Sequence, residues 1–256
     1  MLTTLRAEFK KLLTVRSTYI LMIVALVIAA FFATYVFGYR GNMQQASSPS
    51  FLTDIFQVTL GVFTTFGAII SILLMAHEYR YNTILYTLTW NKSRVKVLLA
   101  KAFTVLSLMT VGGLLVLAVS YAGVHLGLSL RSASMGPQNF ELFDMAWRYA
   151  AYVWGYGLIG LIFGVLLRSV VAAIVAFFMI PALEGILGGL LLKEDAKYLP
   201  FRVLDSIPTT GAADSLAATS GFSMLSSEKA VTTAALYLLI LGVVATVLFI
   251  KRDASE

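Results

Sequence analysis

YILMIVALVIAAFFATYVF, running from Tyr19 to Phe37, is a stretch of nineteen residues without one charge. At about 1.5 Å per residue a helix of that length covers about 28 Å, close to the hydrocarbon thickness of a bilayer. Five further stretches of the same character follow at 55–76, 102–127, 149–167, 170–192 and 231–250, interrupted only by Glu184 in the fifth. Lipid leaves backbone groups no water to bond, so isolated apolar stretches of this length cross as helices. The expected fold is all-α: a polytopic membrane protein with six transmembrane helices, forming one domain over 1–256.

Composition agrees with that reading and excludes others. Of 256 residues 59% are hydrophobic and only 12% charged, against roughly 25% charged in ordinary soluble domains. Six spans with their loops use nearly the whole chain, so no room remains for a separate catalytic domain. The absence of cysteine removes disulfides, thiolate metal sites and cysteine nucleophiles. The net charge of +6 belongs mainly to one membrane face, and a nucleic-acid partner is not expected. Twelve Lys and Arg fall on the side of the two termini and seven on the other, which places both termini in the cytoplasm of a multi-pass cell-membrane protein. The first apolar run is too long for a signal-peptide core and no small-x-small cleavage site follows it, so it is expected to remain as an anchor.

The segments between spans are more particular. In residues 1–18, Leu2, Leu5, Phe9, Leu12 and Leu13 repeat with helical spacing while Arg6, Lys10 and Lys11 take the opposite face, the pattern of a helix lying in the bilayer interface. Between the second and third spans runs HEYRYNTILYTLTWNKSR, from His77 to Arg94, which is too long for a turn and rich in aromatics. Glu78 and Arg80 there offer charge pairing, and Tyr79, Tyr81, Tyr86 and Trp90 offer rigid anchors for a partner protein. The long loop over 193–230 holds an apolar patch, Tyr198-Leu199-Pro200-Phe201, suited to dipping back toward the membrane where protein covers its backbone.

No chemistry-bearing motif stands out. A Walker A loop is absent, so ATP is not hydrolysed by this chain through that mechanism. His77 and His125 lie near opposite ends of their spans and cannot share a metal; no catalytic or metal-ligating set is expected. Gly221-Phe222-Ser223-Met224 is a poor approach to a nucleophile motif, and Asn91-Lys92-Ser93 is a sequon on the cytoplasmic side, where it has no use. Gly160 and Gly164 form a Gly-x-x-x-Gly pair for close helix packing. Pro181 frees a carbonyl four residues earlier and bends its helix just before Glu184, the lone acid within the spans. Pro181 and Glu184 are therefore candidates for gating or the substrate path, with a glutamate reaching surface water as the simpler alternative.

Taken in order, these features resemble the permease subunits of ATP-binding-cassette exporters of the type-2 (ABC-2) class. The resemblance rests on the amphipathic start at Leu2 to Arg16, the six spans, and Glu78-Tyr79-Arg80-Tyr81-Asn82-Thr83 leading to Ser93-Arg94 and Leu98-Leu99-Ala100-Lys101. The Pro181 to Glu184 helix and the Tyr198 to Phe201 patch complete it. Two departures stand out: Asn82 occupies a position where that family commonly has glycine, and Trp90-Asn91 one where proline is frequent.

The resemblance implies a coupling helix over about Tyr81 to Leu88, with Glu78, Arg80, Tyr81, Thr83, Ile84, Leu85 and Leu88 as the residues coupling to a partner ATPase. It further implies two copies of a cytoplasmic ABC ATPase that bind ATP and Mg, and a second permease in a homodimer or heterodimer surrounded by membrane lipids. The expected function is outward movement of a substrate powered by that ATPase, without a cofactor of the chain's own. A membrane anchor or signalling subunit of an ATPase complex, which transports nothing, is the alternative.

Overall fold

The computed structural model describes residues 2–90, 93–138, 141–209 and 224–251. Every regular element among them is helical. Helix α1 (Leu2–Thr14) is followed, after a break at Val15, by α2 (Arg16–Phe31), which continues as a π-helical stretch, Phe32–Tyr39. Then come the short α3 (Met43–Ala46), α4 (Phe51–Arg80), α5 (Thr83–Trp90), α6 (Arg94–Ser129), α7 (Leu142–Leu167) and α8 (Val170–Leu187). A π-turn, Gly188–Leu192, and a 3-10 segment, Lys193–Tyr198, lead to α9 (Pro200–Asp205), and α10 (Ser227–Lys251) closes the described chain.

Among the described residues six helices are long and apolar enough to cross a membrane: Arg16–Tyr39, Phe51–Arg80, Arg94–Ser129, Leu142–Leu167, Val170–Leu192 and Ser227–Lys251. The protein is a multi-pass, all-α membrane protein. The fifth span has the bounds the sequence announces, 170–192; the other five run past theirs, most of all the third, whose helix starts at Arg94 where the sequence points to 102. Its 36 residues cover about 54 Å, far more than the hydrocarbon core. One face of the first turns of α6 packs against α1.

Burial ranks the spans. In their most apolar windows 67% of α7 and 56% of α4 is buried, against 17% for the spans formed by α2, α8 and α10. So α4 and α7 make the centre, while the spans of α2, α8 and α10 present broad apolar faces outward. The α4–α7 seam depends on Gly160: a Cβ there falls well inside contact distance of the Ala68 carbonyl oxygen on α4, so the two backbones meet only because glycine has no side chain. Phe63, Leu60, Val105, Met109 and Ile72 fill the space between α4, α6 and α7.

The patch at 198–201 does fold back onto protein. Leu199 is extended, Pro200 opens α9 at its first helical position, and Phe201, Val203 and Leu204 are buried. Phe201 sits among Tyr156 and Phe163 of α7 and Phe177 of α8, with ring centroids 5.8 to 6.4 Å apart. On the same side of the molecule Arg148 pairs with Asp144 at 2.7 Å and donates to the Thr209 carbonyl and to Ser227 Oγ, tying α7 to the start of α10. Residues 91–92 of the sequon and 221–223 of the weak nucleophile motif lie outside the described residues.

Candidate functional site

At the end of the bundle that carries the start of α1 and the end of α10, four charged side chains from three helices close on one another. Lys101, on α6, has no solvent exposure. Its ammonium donates to Glu8 Oε2 of α1 at 2.8 Å, to Glu78 Oε1 of α4 at 2.7 Å and to the Leu74 carbonyl at 3.2 Å. Lys11, also on α1, donates to Glu8 Oε1 at 2.7 Å, to Glu78 Oε1 at 2.6 Å and to Thr87 Oγ1 of α5 at 3.3 Å. Two cations face two carboxylates, so the cluster is neutral, which is what allows it to be buried.

Local sequence explains the convergence. Along α1 the residues that turn inward are Thr4, Glu8 and Leu12, spaced at i, i+4 and i+8, so Glu8 lies on the packed stripe. Lys101 sits seven residues into α6, beneath α1. Burial disfavours the Lys11 ammonium, yet the Glu78 and Glu8 carboxylates outweigh that effect and hold its pKa above the ordinary value.

The link from α4 to α5 is a tight turn. Asn82 there has φ of 52°, in the left-handed region that glycine takes most easily and asparagine tolerates. This is the position at which the sequence departs from glycine, and the geometry explains why asparagine can stand there.

The expected coupling residues are distributed unevenly by this arrangement. Glu78 is buried in the ion cluster, not offered on a docking surface; its charge is already met by two lysines. Arg80 is exposed, with its guanidinium 5.6 Å from the Tyr81 ring centroid. Tyr81 is exposed but belongs to the turn, and the short helix begins at Thr83, also exposed, rather than at Tyr81. Ile84 is buried as the anchor of α5, whereas Leu85 and Tyr86 point outward, Tyr86 with 80% exposure. Leu88 lies on α5, with its side chain outside the described residues.

At the other end, Glu184 is buried and does not reach surface water. It is 4% exposed, and its carboxylate accepts the backbone N–H groups of Phe201 at 3.1 and 3.2 Å and of Arg202 at 3.3 Å. Those are the free donors at the start of α9, so Glu184 caps that helix from across the fold. Asp205, at the far end of α9, accepts from the Tyr156 hydroxyl at 2.6 Å. Pro181 lies inside α8, one turn before the capping glutamate.

Residues 19–255 match the family model described as "Protein of unknown function (DUF2705)". The chain belongs to this family. The DUF2705 match contains Glu78, Lys101, α5 and Glu184; Glu8 and Lys11 precede it. No curated protein matches the chain. Among the described residues no group of three or more His, Asp or Glu side chains is disposed to hold a metal ion.

Glu8, Lys11 and Lys101 are the functional candidates that composition and hydropathy pass over. The available signal was a carboxylate spaced between Leu5 and Leu12 on the apolar stripe of an amphipathic helix. What the cluster can do is mechanical: it joins α1, α4, α5 and α6 through charge-assisted hydrogen bonds in a place with little water, where such bonds are strong and rigid.

Proposed function

We propose that this DUF2705 protein is the permease subunit of an ATP-binding-cassette exporter of the ABC-2 type, acting with a second permease and with two copies of a separate cytoplasmic ATPase. The observation that carries the reading is α5: a two-turn helix that shows Leu85 and Tyr86 to the outside while Ile84 and the Lys11–Thr87 bond fasten it to the bundle. A chain without its own phosphate-binding loop must receive work through such a surface. Force on α5 passes through Lys11 to Glu78 and Lys101, and so to the ends of α4 and α6. The orientation that goes with this function puts both termini and α5 in the cytoplasm, as the distribution of basic residues favours. Outward export follows from the resemblance, and the capped, buried α9 serves as an outer plug that α8 holds through Glu184.

The test uses Leu85→Asp together with Tyr86→Asp, because both side chains are exposed and their replacement leaves the core intact. Ile84 is avoided, since a buried aspartate destabilises the helix itself. The double variant is expected to insert and purify like wild type but to lose its ATPase partner. Retention of the partner with undiminished ATP hydrolysis refutes the assignment of α5.

A further inference from the structure

Beside the ion cluster lies a cavity of about 480 Å³, in the elbow where α1 breaks into α2 and against the end of α4. Its volume is within the range of pockets that hold small molecules. Leu12, Ile70, Leu73 and Leu74 give it apolar walls, and its polar lining includes Arg16, Ser17 and Glu78, with Lys11 and His77 beside them. Two of those polar groups are incompletely used. Ser17 Oγ and Glu78 Oε2 are buried without a hydrogen-bond partner, although the Glu78 side chain is only 7% exposed and its other oxygen takes both lysines. Arg16, by contrast, is exposed at the rim, and no carboxylate is paired with it among the described residues.

We propose that this cavity binds the headgroup of one phosphatidylethanolamine molecule, the phosphate meeting Arg16 and Ser17 and the primary ammonium donating to Glu78 Oε2. The site stands where the amphipathic α1 meets the first span, the depth at which headgroups lie. Its chemistry asks for an anion and a cationic donor on the same small group. A buried carboxylate oxygen is best met by a charged N–H, which ethanolamine has and choline, with three methyl groups, lacks. Glycerol headgroups have the phosphate and neutral hydroxyls but no cation. The apolar walls receive the first methylenes of the acyl chains. This binding does not depend on the proposed transport role: a lipid bound here holds the elbow of α1 whether or not the protein exports anything.

The test is native mass spectrometry of the full-length protein, delipidated in detergent and offered equimolar dioleoyl phosphatidylethanolamine, phosphatidylcholine and phosphatidylglycerol. One charge-assisted hydrogen bond predicts that ethanolamine lipid is retained about tenfold over choline lipid. Stepwise N-methylation of the headgroup should erode that preference. Leu73→Trp, which fills the cavity, should reduce it toward unity, and Arg16→Ala, an exposed change that spares folding, should lower retention of the ethanolamine lipid by removing its phosphate contact. Equal retention of the ethanolamine and choline lipids overturns the proposal, as does a preference for phosphatidylglycerol, which indicates simple attraction to a basic surface. An ethanolamine preference that survives Leu73→Trp, or ethanolamine-lipid retention that Arg16→Ala leaves undiminished, places the lipid elsewhere and equally overturns it.

Discussion

Replacing Lys101 with methionine removes the one cation that is wholly buried in the cluster. The perturbation leaves Glu8 and Glu78, at 1% and 7% side-chain exposure, sharing only Lys11, whose own side chain is 38% exposed. It breaks two ion pairs of 2.8 and 2.7 Å and the bond to the Leu74 carbonyl. Removing one partner of a buried pair costs about 3–5 kcal/mol, and with Lys101 fully enclosed no solvent screening lessens that figure. For a chain of this size each kcal/mol moves the melting temperature by roughly 2–4 °C, so Lys101→Met should melt on the order of 10 °C below wild type in detergent, read by size-exclusion recovery after heating. The companion is the triple variant Glu8→Gln, Glu78→Gln, Lys101→Met. It discharges the buried carboxylates together with the lysine, and should regain most of the loss because uncharged replacements of a buried ion network are often tolerated. A Lys101→Met protein as stable as wild type refutes the buried-pair account. A triple variant less stable than the single shows that the carboxylates work through something other than the lysines.

Three further outcomes follow from the same geometry. Glu184→Ala strips the acceptor from the Phe201 and Arg202 N–H groups and should cost about 1–3 kcal/mol, with faster proteolysis near 193–209; unchanged proteolysis excludes the cap. Lys11 has a raised pKa in the folded protein, so its contribution is complete below the ordinary 10.5 and is lost only as pH rises through the raised value. The melting-temperature gap between wild type and Lys11→Met should therefore be flat from pH 7 to about 10 and close above that, and closure between pH 7 and 9 contradicts the pairing with Glu78 and Glu8. Finally, in this cysteine-free chain a Ser47→Cys protein should react with an impermeant maleimide on intact cells while Tyr86→Cys should not; labelling of Tyr86→Cys alone reverses the proposed orientation.

The six spans are legible in sequence because lipid demands length without charge, and nothing else in the chain meets that demand. Their ends are less legible, since charge marks where water is expected. In sequence Lys101 closes off the charge-free stretch, yet protein covers it, and only the packing of α1 over α6 reveals this. Glu8 was visible as an acid on an apolar stripe, but a lone acid on a helix face does not name its partners. Lys101 stands 93 residues away, a pairing that no local period encodes. The same limit applies to α5: periodicity shows a helix rich in apolar residues but cannot say that Ile84 faces inward and Leu85 outward, which the ends of α4 and α6 decide. Glu184 and the start of α9 are 17 residues apart, so the unusual acid was legible and its role as a cap was not.

The central proposal is that α5 docks a separate ATPase and that this protein is the permease it powers. The most direct measurement is vanadate-sensitive ATP hydrolysis by the protein purified with its partners from its native membrane, compared between wild type and the Leu85→Asp, Tyr86→Asp variant. The account predicts hydrolysis that co-purifies with wild type, from a separate subunit carrying its own phosphate-binding loop, and its loss from a variant that elutes and melts like wild type. Hydrolysis absent from wild type, or equal in the two preparations, contradicts it.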